Sequence, residues 1–471
     1  MHARGKDELC PLTRSSRDWL HLGLTTVDAL DTLLLMRLTD RFTDARAWVV
    51  SSLDVAPDVE VNLFETSIRI LGGLLSTHHL SAAAGAKTGD PPLVAKAKDL
   101  GQRLLVAFNS PSGLPYSDVN LRKKTAKGPD WGPDSSVSEV STLRLEFSAL
   151  AAATATPSVA APAAKAQRAV AALAQQSDGL VAAKFINPAS GAWGGGRIMT
   201  LGARVDSYYE YLLKAWLQDG KRDAALLTAY QDAVHGVTIR LLARSRTDKL
   251  LFIGELDNGR LSPKMDHLVC FYPGLLALGH MHGVRPRPSQ AAEQAAALAR
   301  LGFAPNATQL DVAASLAATC REMYVRNPLG MGPEIAHFTP EGATGGGDDL
   351  IIKPLDAHSL LRPEYVESLF VLWRATGQQR FRDWGWDAWR GIERHARVPT
   401  GGYASVESVL SAPPNLRDHM ESFFLGETLK YLYLLFVDDP AVVPLDAWVF
   451  NTEAHPLPLP PAARFAAKPA R

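Results

Sequence analysis

The sequence predicts an all-α protein built as one closed ring of helical hairpins. Three observations carry that expectation. Helical apolar spacing dominates the chain, alternating strand patterns are scarce, and helix starts bearing a carboxylate recur at intervals of roughly 60 to 100 residues. The first helix spans Leu24 to Met36, with apolar residues at i, i+3, i+4 and i+7 and with Asp28 and Asp31 one turn apart. Ile68 to Leu80, Leu143 to Leu150, Tyr208 to Leu217, Leu268 to Gly279, Val366 to Thr376 and Phe423 to Val437 follow with the same period. Gly- and Pro-rich connections separate them at Asn109–Pro115, Gly128–Pro133, Asn187–Gly196, Gly342–Gly347 and Pro399–Tyr403. Residues 151–174 are nearly all Ala and small polar residues, helix-prone and otherwise uninformative, and Leu250 to Ile253 suits a short strand. No linker divides the chain, so residues 1–457 read as a single domain, and residues 458–471 as a Pro/Ala-rich tail, either a surface strap or disordered.

Composition narrows the function classes. A length of 471 residues allows about three domains or one large repeat-built barrel. Lys+Arg and Asp+Glu both number 49, so no bulk basic field exists for nucleic acid or a polybasic membrane contact. The longest apolar runs, such as Tyr431 to Val437, fall short of the roughly 18–20 residues of a membrane span. Met1 to Asp7 is polar and lacks the apolar core of a secretory signal. The three cysteines, Cys10, Cys270 and Cys320, are too few for a disulfide scaffold and form no CxxC pair. Counting alone favours three free thiols in a cytosolic protein, with one bridge and a spare thiol as the alternative. Asn306-Ala-Thr308 is a lone glycosylation sequon in a surface connection.

The chemistry lies in the carboxylates. No GxxxxGK[ST] loop, HExxH or EF-hand spacing occurs, and the glycine runs at Gly194–Gly196 and Gly345–Gly347 precede no helix motif. Glu65, Asp206, Glu210, Glu364 and Glu421 instead sit among apolar and aromatic residues at helix starts. Each alone is explained by the favourable interaction of an acid with a helix N-terminus. Together, beside Arg69, Arg204, His267 and Arg362, they outline a polar pocket on a toroid axis. Glycoside hydrolysis needs that inventory: one carboxylic acid to protonate the leaving oxygen, and one carboxylate to activate water or attack the sugar. Phe423 offers a sugar a flat apolar platform.

At these residues the chain resembles glycoside hydrolase family 47, the class I α-1,2-mannosidases. Seven blocks carry the resemblance: Leu24-Thr-Thr-Val-Asp-Ala-Leu-Asp-Thr-Leu, Val61-Asn-Leu-Phe-Glu-Thr-Ser-Ile-Arg, Leu201-Gly-Ala-Arg-Val-Asp-Ser-Tyr-Tyr-Glu, Met265-Asp-His-Leu-Val-Cys-Phe, Leu361-Arg-Pro-Glu-Tyr-Val-Glu-Ser, Phe423-Phe-Leu-Gly-Glu-Thr-Leu-Lys-Tyr and Phe450-Asn-Thr-Glu-Ala-His-Pro. They run in family order along nearly the whole chain. The resemblance implies an (α/α)7 barrel. It makes Glu65 the general acid acting through a water, with Asp206 and Glu364 as the other essential carboxylates and Glu364 as the base. Thr452 is implied as the protein ligand of Ca²⁺, through its hydroxyl and carbonyl oxygens. Arg69, Glu146, Arg204, His267, Arg362, Phe423, Glu427 and Glu453 are implied to line the pocket. A Cys270–Cys320 disulfide with Cys10 free is also implied.

Other residues read more plainly. Glu210 and Glu367 are as readily ion-pair partners as catalysts, His455 is a packing or capping residue, and Asp28 and Asp31 are helix-end partners. Only six residues precede Asp7-Glu8-Leu9, where the family carries a further helix, so the first hairpin is expected to be incomplete. The function implied is an inverting, calcium-dependent exo-α-1,2-mannosidase acting on high-mannose N-glycans of glycoproteins. An inverting pair places Glu65 and Glu364 at the wide separation of roughly 6.5–9.5 Å. The alternative is a glycan-binding protein of glycoprotein quality control, whose relatives generally lack the disulfide; a bare helical scaffold is a third reading. Family enzymes of the endoplasmic reticulum carry Arg at the position of Arg204, whereas Golgi enzymes carry a smaller apolar residue. Arg204 therefore implies trimming of nine mannoses to one eight-mannose isomer. It also implies the endoplasmic reticulum lumen ahead of the Golgi, with a native membrane anchor outside this sequence.

Overall fold

Seven inner helices, each touching the next, close into a ring. The computed structural model describes residues 3–344 and 347–465, so Gly345 and Gly346 of one expected connection, and residues 466–471 of the tail, lie outside the described residues. The first inner helix is Leu24–Asp28 continued by Leu30–Leu35. The second starts as Leu63–Glu65, passes through a π-helical turn at Thr66–Leu71 and continues as Gly72–Ala83. Val137–Ser141 with Arg144–Thr154 is the third and Asp206–Gln218 the fourth. His267–Phe271, a 3₁₀ turn, leads into Tyr272–Met281 as the fifth, and Glu364–Thr376 is the sixth. The seventh, Phe424–Thr428 (again π-helical) and Leu429–Phe436, packs back on the first. The predicted all-α ring is the observed one.

Burial separates inner from outer helices. Eleven of the thirteen residues of Asp206–Gln218 are buried, as an inner helix packed on all sides requires. The outer helix Gln379–His395 instead buries one stripe, Phe381, Gly385, Ala388 and Ile392, at the i, i+4, i+7, i+11 spacing of a single face. Close approach fixes two glycines. A Cβ at Gly274 would lie 3.1 Å from the Ser368 Cα of the sixth helix, and one at Gly72 would lie 2.7 Å from Asn451 Nδ2. Outer helices follow the first six inner ones: Thr39–Ser52, Pro91–Leu104, Ala161–Ala174, Ala224–Gly236, Gln309–Val325 (preceded by Pro288–Arg300) and Gln379–His395. Among the described residues no outer helix covers the seam between the seventh and first inner helices. Met36, Trp386, Trp389, Leu432 and Phe436 line an apolar groove there.

Short strands aim the inner helices. Glu60–Asn62 pairs with Asp118–Asn120 and runs directly into Leu63, while Lys264–Asp266 pairs with Ile335–Phe338 and runs directly into His267. The strand expected at Leu250 to Ile253 is present as Leu251–Ile253. The chain remains packed past residue 457, as a strap rather than a disordered tail over the described residues: Pro456–Pro458 pairs with Trp448–Phe450 and the Phe465 ring lies 4.7 Å from that of His282. Cys270 and Cys320 are bridged, as the resemblance implies and counting alone does not, tying the fifth inner helix to Gln309–Val325, and Cys10 is free and buried.

Candidate active site

The first turns of the second to seventh inner helices converge on one cavity of about 340 Å³. Helix N-termini present the positive pole of the macrodipole, so that end of the ring suits anionic side chains. Eight carboxylates line the cavity (Glu65, Glu139, Asp206, Glu210, Glu364, Glu367, Glu427 and Glu453) against three guanidiniums, Arg69, Arg204 and Arg362. Phe423 and Thr452, both predicted, also stand in the wall.

Each acid has its own partners. Glu65 begins the second helix, its amide capped by Asn62 at 3.0 Å, and its carboxylate accepts from Arg69 Nε at 2.7 Å. Arg69 also donates to Ser422 Oγ at 3.1 Å and to Glu453, and lies 3.6 Å from Asp28. Asp206 Oδ1 accepts from Ser138 Oγ and from the Ser207 amide, both at 2.9 Å. Burial, reinforced by the charges of Glu210 and Glu364, still pushes its carboxyl up to about 7. Glu364 is the opposite case. Burial works against its charge, but a 2.7 Å hydrogen bond to His267 Nδ1 and the nearby Arg362 guanidinium outweigh it and hold the carboxyl below its usual range. One ring of helices thus holds a proton-carrying acid and an ionised one in the same cavity.

Arg69 and Arg362 flank the Phe423 ring at 5.8 and 5.7 Å from its centroid, stiffening the aromatic platform. Arg204 stands over Phe185 at 6.0 Å with a positive φ of 83°. That conformation is uncommon for a non-glycine residue. It is held where the Ala203 amide donates to Asp266 at 3.2 Å and the Arg204 carbonyl accepts from the Ser138 amide at 2.9 Å.

Glu146 and His267 correct the expected lining, for both stand behind the wall. Glu146 is fully buried and accepts from Asn451 Nδ2 at 2.8 Å and from the Tyr211 hydroxyl; burial pushes its carboxyl up to about 7. Asn451 in turn accepts from the Glu453 and His455 amides at 3.0 and 2.8 Å, fixing the loop that carries Thr452. Glu210 and Glu367 are ion-pair partners, sharing the buried Lys214 ammonium, and both line the cavity. His455 is neither a cap nor simple packing, and Asp28 and Asp31 are more than helix-end partners. His455 bridges them at 3.1 and 2.8 Å, Lys430 reaches Asp31 at 2.8 Å, and all four side chains are fully buried. Sequence reasoning missed Glu139, which accepts from Asn62 at 2.9 Å. Its signal was present, since Ser136 to Glu139 forms a capping box of the S-x-x-E type.

The wall also answers whether a metal suits the site. Its donors are all oxygens, with no His or Cys among the lining residues, and its carboxylates exceed its cations. Burial and the charges of Glu364 and Glu367 drive Glu427 well above the usual carboxylate range. A hard, oxygen-seeking cation fits such a set.

Fold and site together define a ring of helical hairpins around a carboxylate-lined cavity. The match to Glycosyl hydrolase family 47 covers residues 1–459, and the chain belongs to that family. It is 48% identical over 460 residues to the human endoplasmic reticulum mannosyl-oligosaccharide 1,2-alpha-mannosidase, covering 97% of this chain and 61% of that protein. A mannosyl-oligosaccharide 1,2-alpha-mannosidase of Arabidopsis thaliana is 45% identical, covering 97% and 76%. The chain spans 61 to 65% of the length of the mammalian relatives it matches. Among solved structures, the alpha-1,2-mannosidase from Trichoderma reesei superposes with a TM-score of 0.84 at 27% identity, covering 98% of this chain and 95% of that one.

Proposed function

We propose that this chain is an inverting exo-α-1,2-mannosidase that trims high-mannose N-glycans. The observation that carries the reading is the pair of opposed carboxyl states in one cavity, Glu364 held ionised and Asp206 carrying its proton towards neutral pH. In the proposed mechanism the terminal mannose lies against Phe423, between Arg69 and Arg362. Glu364, kept charged by His267 and Arg362, takes a proton from the attacking water. Glu65, at the more open wall with its side chain 27% exposed, delivers a proton to the leaving oxygen through a second water. The raised carboxyl of Asp206 favours a second assignment, in which it supplies that proton itself. The two differ on α-mannosyl fluoride, whose leaving group needs little acid help: the variant of the true donor retains the larger share of its activity on it.

Calcium is the cation proposed, with Thr452 as its protein ligand, where it would hold sugar hydroxyls in place. The Cys270–Cys320 bridge favours a processing enzyme over a glycan-binding relative, and an oxidising lumen over the cytosol. The endoplasmic reticulum is the proposed compartment. Arg204 at the wall presents a fixed fork of donors to sugar hydroxyls and favours one branch, giving a single eight-mannose isomer. The test is incubation with a labelled nine-mannose glycan. Release of one mannose supports the reading; retention of the intact glycan in a stable complex supports the binding protein instead.

A further inference from the structure

Asn306-Ala-Thr308 lies in the turn between the outer helices Pro288–Arg300 and Gln309–Val325, where the Ala307 amide donates to the Ala304 carbonyl at 2.9 Å. Both Asn306 and Thr308 are exposed. Beside them opens a recess of about 200 Å³ walled by Val284, Pro286, Ala295, Leu298 and Val312, with Thr308 and Gln309 also lining it. The lining is mostly apolar and suits the apolar face of a sugar ring such as that of N-acetylglucosamine.

We infer that Asn306 carries an N-linked glycan whose first N-acetylglucosamine units cover this recess. The inference rests on the proposed luminal compartment. In the transfer, an oligosaccharide on a lipid diphosphate donor loses its C1–oxygen bond, and the electron pair leaves on the diphosphate. The Asn306 Nδ2–C1 bond forms, and the amide gives up one proton. In the folded protein the Thr308 hydroxyl is tied to Asp311 at 2.8 Å, so the transfer precedes closure of that helix cap.

Tyr324 bonds His267 Nε2 at 2.8 Å, which sets the C-terminal end of Gln309–Val325 at the level of the cavity. Thr308 lies sixteen residues earlier, about 24 Å away along the helix, so a glycan on Asn306 is attached well away from the cavity wall.

The test is expression of the full chain behind a secretion signal in insect cells, followed by non-reducing peptide mapping. The Asn306 peptide should carry two N-acetylhexosamines and hexoses, and peptide-N-glycosidase should release them to leave Asp. Asn306→Gln should keep full activity on free glycan and melt at a lower temperature. Unmodified Asn306 in protein with Cys270–Cys320 bridged overturns the inference and leaves the compartment reading standing. Free Cys270 and Cys320 together with unmodified Asn306 overturn both. Glycosylated protein that melts with the Asn306→Gln variant overturns the seating in the recess.

Discussion

Replacing His267 by Ala removes the one hydrogen bond that most strongly holds Glu364 ionised, and the consequence can be sized. The bond is 2.7 Å long, buried and made to a carboxylate. Hydrogen bonds to charged groups contribute about 1.5–3 kcal/mol. At 1.36 kcal/mol per pKa unit, its loss raises the Glu364 carboxyl by about one to two pH units. The sign follows from burial, which favours the neutral form and is then opposed by Arg362 and by the bond from the backbone amide of Glu364. The general base loses its charge on the acid side, so the acid limb of the kcat profile should move up by that interval. The plateau at higher pH should persist, because Glu364 still ionises there. KM should change little, since His267 does not line the cavity. His267→Asn, which places an amide donor near the Nδ1 position, should restore much of the original profile. Stopped assays from pH 4.5 to 8, with melting temperatures to confirm folding, measure all three quantities. A uniform loss at every pH, or an acid limb that does not move, refutes the role given to His267.

Three further outcomes are expected. Reduction of Cys270–Cys320, which closes a separation of 50 residues, should lower stability by about 4 kcal/mol on the chain-entropy relation, read by urea denaturation with and without reductant. Chelation with EDTA should abolish turnover, and Ca²⁺ should restore it better than Mg²⁺, whose small octahedral shell suits this oxygen set poorly; full activity of chelator-treated protein contradicts the metal assignment. Arg204→Leu should let trimming continue past eight mannoses towards five, as glycan chromatography would show, whereas an unchanged single product removes Arg204 from specificity.

Legibility in the sequence followed the range of each interaction. Inner helices were readable because burial imposes apolar spacing over three or more turns, and their carboxylates because they recur at helix starts. Seven segments of helical pattern became the seven inner helices. The short strands were mostly invisible, since two to four residues such as Leu350–Ile351 cannot display alternation. The His455–Asp28–Asp31–Lys430 cluster was equally hidden, for it joins the first helix to segments some 400 residues away and no local pattern records such a contact. Glu146 and His267 stand behind the cavity wall rather than in it. Sequence spacing places a side chain at a helix end; whether it faces the cavity or props up a neighbour depends on its partners, here Asn451, Tyr211 and Glu364. Thiol state was likewise beyond counting, because the Cys270–Cys320 contact depends on how two helices pack.

The central claim is a single displacement by water, with Glu364 as the base and proton delivery from the opposite wall. Proton NMR of a nine-mannose glycan, recorded in the first minutes after adding enzyme and before mutarotation, reads it directly. The account predicts β-mannose as the first released sugar, with the α-anomer growing in only as the free sugar equilibrates. α-Mannose as the first product would mean retention through a covalent intermediate, and would contradict the roles given to these carboxylates.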